Sequence, residues 1–189
     1  MSRRGAYPGS FNPLTVAHLA IAEAARDACR LDRVDLIVSR VALAKEHVER
    51  PLLEHRVAVL ERAAASRPWL GVVVTDHQLL VDIAAGYDVL VMGADKWAQV
   101  CDVAFYGSEA ERDAALARLP PLAVAPRPPF PLPDGVVLHL APELTPVSST
   151  AARAGSRGWM AAEAAAFDAE TGAWSDPDRY DDWRRATGA

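Results

Sequence analysis

The sequence predicts an α/β fold in which helices cover both faces of a parallel sheet of about five to six strands, with a helical tail at the C-terminus. Three observations predict it. Short apolar runs rich in β-branched residues alternate with longer stretches of helical periodicity. The apolar runs are nearly continuous, as in strands that are buried on both faces. Polar motifs directly follow such runs, where ligands bind in these sheets. The pattern is that of a Rossmann-like, doubly wound sheet.

The first half of the chain predicts three strands, each followed by a helix. The first strand stops at Pro8-Gly9, and the helix after it carries a one-sided apolar stripe. Pro51 stands just before the second helix, where its fixed backbone suits a helix start. The predicted strands are Arg4–Tyr7, Arg33–Ser39 and Leu70–Thr75, and the predicted helices are Val16–Arg30, Leu52–Ser66 and Gln78–Ala85.

The second half continues the alternation. Helical patterns begin at Trp97 and at Ser108, where Glu111 stands at the spacing of a capping box. The predicted elements are strands at Asp88–Met92, Leu122–Ala125 and Val136–Leu140 and a helix over Ser108–Leu119. Between the last two strands runs a Pro-rich loop, Pro126–Pro133, which either flanks a substrate or is an inert surface connection.

The last part of the chain differs in composition, so we divide it into a domain over residues 1–157 and a helical extension over residues 158–189. The extension contains an Ala-rich helical stretch, Trp159–Asp168, and a charged aromatic run, Pro177–Arg185. Trp174, Tyr180 and Trp183 either pack back on the domain, which we favour, or form a subunit contact. A homo-oligomer is therefore left open.

Composition excludes several classes of protein. The net charge is −5 and no Lys/Arg cluster is present, which argues against a nucleic-acid binder. No segment approaches the roughly 18 apolar residues of a membrane span. Cys29 and Cys101 are isolated and no signal peptide is visible, so we expect a cytoplasmic, reducing location. The sequence contains neither the HExxH motif of zinc hydrolases nor the GxGxxG motif of dehydrogenases.

The segment from Tyr7 to Leu19, YPGSFNPLTVAHL, contains the most informative motif. Gly9 lets the backbone approach a ligand closely, and Thr15 can cap the helix that begins at Val16. Free amides at a helix start bind anions. Because Thr15 and His18 are three apart, we expect both side chains to face one opening. A triphosphate would meet backbone donors, a hydroxyl and an imidazole there.

A second motif, SSTAAR, follows the last predicted strand. Ser148 can cap a helix, while Ser149 and Thr150 add hydroxyls at its start. Arg153, one turn on, carries a guanidinium fork suited to phosphate oxygens. Alone, such a segment is more often only a helix cap. Its occurrence with the first motif favours a second phosphate-binding element.

These motifs resemble the signatures of the H-x-G-H nucleotidyltransferases, specifically the T-x-G-H variant of pantetheine-phosphate adenylyltransferase. The resemblance implies that His18 contacts the transferring phosphoryl group and that Thr15 positions the incoming phosphate. It implies that the second motif closes over the β- and γ-phosphates. This chain has Asn12 where that family usually has Asp, and Ala17 where it has Gly. The nucleotide-binding residues implied are Gly9, Ser10, Phe11, His18, Gly93, Asp95, Ser148, Ser149, Thr150 and Arg153.

The segments between the motifs resemble two different families. Lys45, Arg56 and the stretch Leu79–Ala84 occupy places that match pantetheine-phosphate adenylyltransferase, in which the Lys helps to neutralise the transferring phosphates. Lys45 is otherwise a solvated loop charge. The segment MGADKW, residues 92–97, and LAVAPR, residues 122–127, instead resemble nicotinate- or nicotinamide-mononucleotide adenylyltransferase. We favour the mononucleotide acceptor, and the substrate-binding residues predicted are Ser10, Lys45, Arg56, Trp97 and Arg127.

The resemblance implies transfer of the adenylyl group of ATP to a small phosphate-bearing metabolite, with release of pyrophosphate. His18, Lys45 and Thr15 are the predicted catalytic residues. Mg²⁺ would bridge phosphate oxygens, with its ligands mostly from substrate and water, so no protein metal ligand is predicted. Pantetheine-phosphate adenylyl transfer, a cytidylyltransferase and a non-catalytic nucleotide-binding module remain alternatives.

Overall fold

The computed structural model describes residues 2–40 and 50–188. The strands are β1 (Arg4–Pro8), β2 (Arg33–Ser39), β3 (Leu70–Thr75), β4 (Val89–Gly93), β5 (Leu122–Ala125) and β6 (Val136–Val137). The helices are α1 (Val16–Cys29), α2 (Leu53–Ala65), α3 (Leu80–Ile83), α4 (Ala94–Val100), α5 (Glu109–Leu116), α6 (Ser149–Arg153), α7 (Ala162–Thr171) and α8 (Pro177–Thr187). No helix in the described ranges is long and apolar enough to cross a membrane.

The strands form one six-stranded sheet in the order β3-β2-β1-β4-β5-β6. Every pairing is parallel. The chain winds from β1 toward one edge and then returns to β4 beside β1 before it winds toward the other edge. The predicted doubly wound parallel sheet is therefore confirmed, and the order places a topological switch point between β1 and β4.

Alternate residues of each strand enter cores on opposite faces of the sheet. Leu36 of β2 packs in one cluster with α1, α2 and α7. Its neighbour Ile37 packs in a second cluster with α3 and α4. The same alternation separates Val91 from Leu90 on β4. Burial on both faces explains why these strands lack the polar–apolar alternation of a half-exposed sheet.

Three predicted elements are shorter than expected, one of them the helix predicted over Ser108–Leu119, which spans Glu109–Leu116. The strand predicted over Val136–Leu140 keeps only Val136–Val137 in the sheet, at an edge where β5 is its one neighbour. The helix predicted over Gln78–Ala85 is reduced to Leu80–Ile83. Ser108 caps α5 by accepting from the amide of Glu111. The Glu111 carboxylate, however, accepts from the amide of Gly107 instead of that of Ser108.

The C-terminal extension packs back on the sheet domain, as we favoured from the sequence. Trp174 is 6% exposed and Tyr180 is fully buried, and both belong to the core cluster on the α1 face. The Tyr180 hydroxyl accepts from the amide of Leu52 at 2.9 Å and lies 2.6 Å from Nδ1 of His55. The last helix is thus joined to the start of α2, which has no side-chain cap of its own.

Candidate active site

The candidate site lies at the carboxyl ends of the strands, around the switch point between β1 and β4. The loop after β1 leads into α1. Gly93, the last residue of β4, is also the N-cap of α4. Both the first sequence motif and the segment from Gly93 to Trp97 therefore start at neighbouring strand ends. Ligands of doubly wound sheets bind in the crevice that opens at such a point.

The loop after β1 is fixed from both sides. The amide of Gly9 donates to the carbonyl of Ile37 at 3.0 Å. Phe11 has a positive φ of 43° and is only 2% exposed, so its ring points into the core. A Cβ at position 9 would lie 3.0 Å from that ring. A side chain at position 9 would therefore require the Phe11 ring to shift by a few tenths of an ångström.

Thr15 and His18 form a reciprocal capping box at the start of α1. The His18 amide donates to the Thr15 hydroxyl at 3.3 Å, and the Thr15 amide donates to Nδ1 of His18 at 3.0 Å. A ring nitrogen that accepts from an amide is unprotonated, so the proton of the neutral ring is on Nε2. Nε2–H is consequently the group that the half-buried imidazole can offer to a ligand.

The position of Thr15 corrects one expectation from the sequence. Thr15 has no exposed surface, so its hydroxyl does not face the opening beside His18. The hydroxyl lies 2.9 Å from Nδ1 of His18 and caps the helix instead. The Thr15 hydroxyl both caps α1 and contacts the imidazole ring. Thr15 therefore lies behind the imidazole.

Burial and the positive charge of Arg127 lower the pKa of His18 to about 4. Both effects disfavour the imidazolium ion. The imidazole is therefore neutral near pH 7 and acts as a hydrogen-bond donor through Nε2 without carrying a charge.

We expect the His18 ring to titrate with a midpoint near 4, well below its ordinary value of 6.5. The unfolded chain would then take up a proton first as the pH falls, so His18 destabilises the fold progressively from about pH 6.5 to 4. NMR titration of the imidazole nitrogen shifts measures both the midpoint and the tautomer. A midpoint near 6.5, or a proton on Nδ1, would contradict the geometry described above.

The second motif docks directly on the first. Ser148 caps α6 by accepting from the amide of Ala151 at 3.1 Å. The Ser149 hydroxyl donates to the carbonyl of Pro13 at 2.8 Å. The exposed Arg153 reaches the same loop, where its guanidinium donates to the carbonyl of Asn12. Residues that are 136 and 141 positions apart are thereby brought together at the start of α1.

A cavity of about 110 Å³ opens beside these motifs. Ala17 and Ile21 of α1 line one side of it, and Arg127 lines another. Its remaining walls come from the ends of β4 and β5 and from the segment before α6, at Gly93, Ala125, Pro126, Leu140, Leu144, Thr145 and Val147. The cavity is mostly apolar with one guanidinium at its wall, which suits an aromatic ring that carries polar substituents.

Asp95 forms an ion pair with Arg127, which lines this cavity. The carboxylate and the guanidinium are 3.8 Å apart. Both side chains are partly exposed. The contact joins a residue predicted to bind the nucleotide, Asp95, to one predicted to bind the acceptor, Arg127. Trp97, on the same helix as Asp95, is half-buried and packs against the second core cluster.

The structure places the remaining predicted residues as follows. Arg56 is 7% exposed, and its guanidinium donates to the carbonyl of Ser10 at 3.0 Å, so it contacts the first loop from α2. Thr150 is exposed in the first turn of α6. Lys45 lies outside the described residues.

Sequence reasoning missed the contact between Asn12 and Trp174. The indole N–H of Trp174 donates to the side-chain oxygen of Asn12 at 2.5 Å, across 162 positions. Asn12 is 8% exposed at the centre of the first motif. The Asn in place of the family's usual Asp was the only local signal, and it does not identify the partner.

Within the described ranges, no group of three or more His, Cys, Asp or Glu side chains is placed to hold a metal ion. Asp95 is a carboxylate at the switch-point edge, and Arg127 is its partner.

Comparison with known proteins connects this geometry to a family. Residues 6–155 match the model of the family described as Cytidylyltransferase-like. A probable nicotinate-nucleotide adenylyltransferase of Salinibacter ruber is 41% identical over 64 residues, 34% of this chain and 33% of that relative. One from Bordetella pertussis is 36% identical over 72 residues, 38% of this chain and 36% of that relative. These matches span about a third of the length of the curated relatives.

Solved structures share the fold at low sequence identity. Nicotinic acid mononucleotide adenylyltransferase of Plasmodium falciparum complexed with APC has a TM-score of 0.63 at 12% identity, over 92% of this chain and 98% of that one. The same enzyme complexed with NaAD has a TM-score of 0.61 at 14% identity, over 90% and 96% of the two chains. The likeness extends over nine-tenths or more of this chain.

Proposed function

The chain belongs to the cytidylyltransferase-like family, and from that premise we propose that it is an adenylyltransferase. In the proposed reaction, the chain transfers the adenylyl group of ATP to nicotinate or nicotinamide mononucleotide and releases pyrophosphate. The two curated relatives, both named as probable nicotinate-nucleotide adenylyltransferases, support the acceptor. Their matches are partial, so the acceptor rests on them together with the segment from Gly93 to Trp97.

One observation carries the proposal: the two phosphate motifs meet at the start of α1. Ser149 and Arg153 contact the carbonyls of Pro13 and Asn12, in the turn that precedes the capping box of Thr15 and His18. A polyphosphate bound along the contact between the β1–α1 loop and α6 would meet the imidazole of His18 at one end and the guanidinium of Arg153 at the other. Two helix caps with purely local roles would not need to lie next to each other.

The reaction is a displacement at phosphorus. A phosphate oxygen of the acceptor attacks the α-phosphorus of ATP, a new phosphoanhydride bond forms, and the bond from the α-phosphorus to the bridging oxygen breaks. Pyrophosphate leaves with that oxygen and its electron pair. The nucleophile is already an anion, so no general base is required, and catalysis consists of positioning and charge stabilisation.

We propose roles that combine the contacts of the described residues with the resemblance of the motifs. His18 donates through Nε2 to an oxygen of the transferring phosphoryl group, and Thr15 fixes the ring behind it. Lys45, assigned from the sequence, neutralises charge on the acceptor side. Arg153 and Thr150 stabilise the leaving pyrophosphate. The Ser148 hydroxyl caps α6, and the Ser149 hydroxyl holds that helix against the first loop. ATP enters as its Mg²⁺ complex.

The cavity beside Ala17 is the proposed site of the adenine ring, which its apolar walls would desolvate. Arg127 lines that cavity and pairs with Asp95, which belongs to the segment from Gly93 to Trp97 that we assign to the acceptor. The two thiols are free, which agrees with the cytoplasmic location proposed for an enzyme that uses ATP.

Pyrophosphate release measured with ATP or CTP against several acceptors tests the proposal directly. The acceptors are nicotinate mononucleotide, nicotinamide mononucleotide and phosphopantetheine, and mass spectrometry identifies each product. We expect the highest kcat/KM with ATP and a pyridine mononucleotide. Preference for CTP or for phosphopantetheine would replace this assignment with one of those activities. ATP binding without pyrophosphate from any acceptor would indicate a non-catalytic module.

A further inference from the structure

Asn12 lies where three separate parts of the chain converge. Its carbonyl accepts from the guanidinium of Arg153, on α6. Its side-chain oxygen accepts from the indole of Trp174 at 2.5 Å, in the segment between α7 and α8. The residue itself belongs to the loop that joins β1 to α1. A substitution at Trp174 would therefore affect the proposed nucleotide site through one hydrogen bond, the one to Asn12.

The indole determines which way the Asn12 amide faces. The nitrogen of a Trp side chain is a donor only, so the atom of the amide that meets it must be the oxygen. The oxygen and the amino group diverge from the same amide carbon, so the amino group is turned away from the indole nitrogen. Neither hydrogen bond described for Asn12 uses that amino group.

Trp174 is itself held rigidly. The buried carboxylate of Asp168 accepts from the amide of Trp174 at 2.7 Å and from that of Ser175 at 3.0 Å. The ring of Phe167 packs edge-on against the indole, with 5.9 Å between the ring centroids. A donor whose backbone and ring are both fixed can orient its partner at little further entropic cost.

On the basis of the proposed adenylyl transfer, we propose that Trp174 is a positioning residue of the nucleotide site. Its indole N–H holds the Asn12 amide so that the amino group is directed to the polyphosphate as a neutral donor. An aspartate at position 12 would accept the same N–H but would direct a negatively charged oxygen to the phosphates. The C-terminal extension thus helps to determine which polar group the β1–α1 loop presents to the phosphates.

The test measures the dissociation constant of ATP by calorimetry, with the full chain and without acceptor. Trp174→Phe keeps an aromatic ring and removes the donor, while Asn12→Ala removes the amide. We expect each variant to weaken ATP binding by about tenfold, on the scale of one lost hydrogen bond to a charged group. The double variant should be no weaker than Asn12→Ala alone, because Trp174 acts through Asn12.

Trp183→Phe is the matched control. Trp183 lies in the same extension and packs against Phe167 and Tyr180, but its indole makes no contact described for the β1–α1 loop. We expect this variant to lower the melting temperature and to leave the ATP dissociation constant within about twofold. Trp174→Phe with an unchanged dissociation constant, or fully additive effects in the double variant, would overturn the positioning role.

A measurement on the parent chain covers the case in which a variant fails to fold. Addition of ATP should shift the Asn12 side-chain amide resonances and the Trp174 indole resonance in NMR spectra, and unshifted resonances under saturating ATP would reject the inference. The two proposals fail separately. Expected binding changes without pyrophosphate release reject only the transferase, while active transfer with unaltered binding in Trp174→Phe rejects only the positioning role. A parent chain that binds no ATP rejects both.

Discussion

Replacement of His18 by alanine should lower kcat by about 10² to 10³, with ATP affinity changed only a fewfold. The imidazole is neutral and offers Nε2–H to an oxygen whose charge increases as the α-phosphorus is attacked, so its contribution is concentrated in the transition state. Loss of one such preorganised donor has an effect of this order. Steady-state pyrophosphate release, together with calorimetric ATP binding, separates the two quantities.

His139→Ala is the control for this measurement. His139 is exposed and follows β6 in the chain. Its replacement removes an imidazole without altering α1. We expect its kcat to match that of the parent chain. Turnover by His18→Ala within a fewfold of the parent would show that the imidazole does not act on the transferring group.

Replacement of Arg153 by alanine should lower kcat/KM for ATP by about 10². The guanidinium carries the positive charge of the second motif, and two interactions would be lost with it: the charge-assisted contact with the leaving pyrophosphate and the hydrogen bond to the carbonyl of Asn12. Arg153→Lys keeps the charge but not the planar fork, so we expect only partial recovery.

Arg157→Ala provides the comparison for Arg153. Arg157 is an exposed arginine four positions further along the chain, in a short 3₁₀ turn. If charge near the site were sufficient, both substitutions would reduce kcat/KM equally. A loss confined to Arg153→Ala supports the specific contact, and equal losses would reject it.

Much of the fold was predictable because burial on both faces of a parallel sheet leaves a strong local signal. The strands Arg33–Ser39, Leu70–Thr75 and Leu122–Ala125 have the predicted bounds. Their apolar runs are bounded by polar residues or by Pro and are covered by helices. The strand at Val136 is shorter than predicted. Val136 and Val137 are exposed, and the β-branched pattern does not report whether a strand is covered.

The helix caps of the site were also predictable, since a cap is a local interaction. Thr15 and Ser148 cap α1 and α6 as the sequence indicated. The positive φ of Phe11 was not predictable, because it depends on how the ring packs against Tyr7 and His18.

The contact between Trp174 and Asn12 belongs to a different class of feature. It joins positions 162 apart, and no local spacing encodes a pairing of that range. Either residue alone has an ordinary explanation, an Asn in a turn or a Trp in a core. Only the folded arrangement shows that they meet at the loop between β1 and α1.

The hydrogen bond from the amide of Leu52 to the hydroxyl of Tyr180 has a consequence for synthesis of the chain. This acceptor is 128 positions downstream of the amide that begins α2. On the ribosome, residues 50–56 are translated long before Tyr180, so α2 and the Arg56 that it directs to the first loop lack this support until translation reaches α8. The candidate site at the start of α1 is therefore completed late, after all strands of the sheet have been translated.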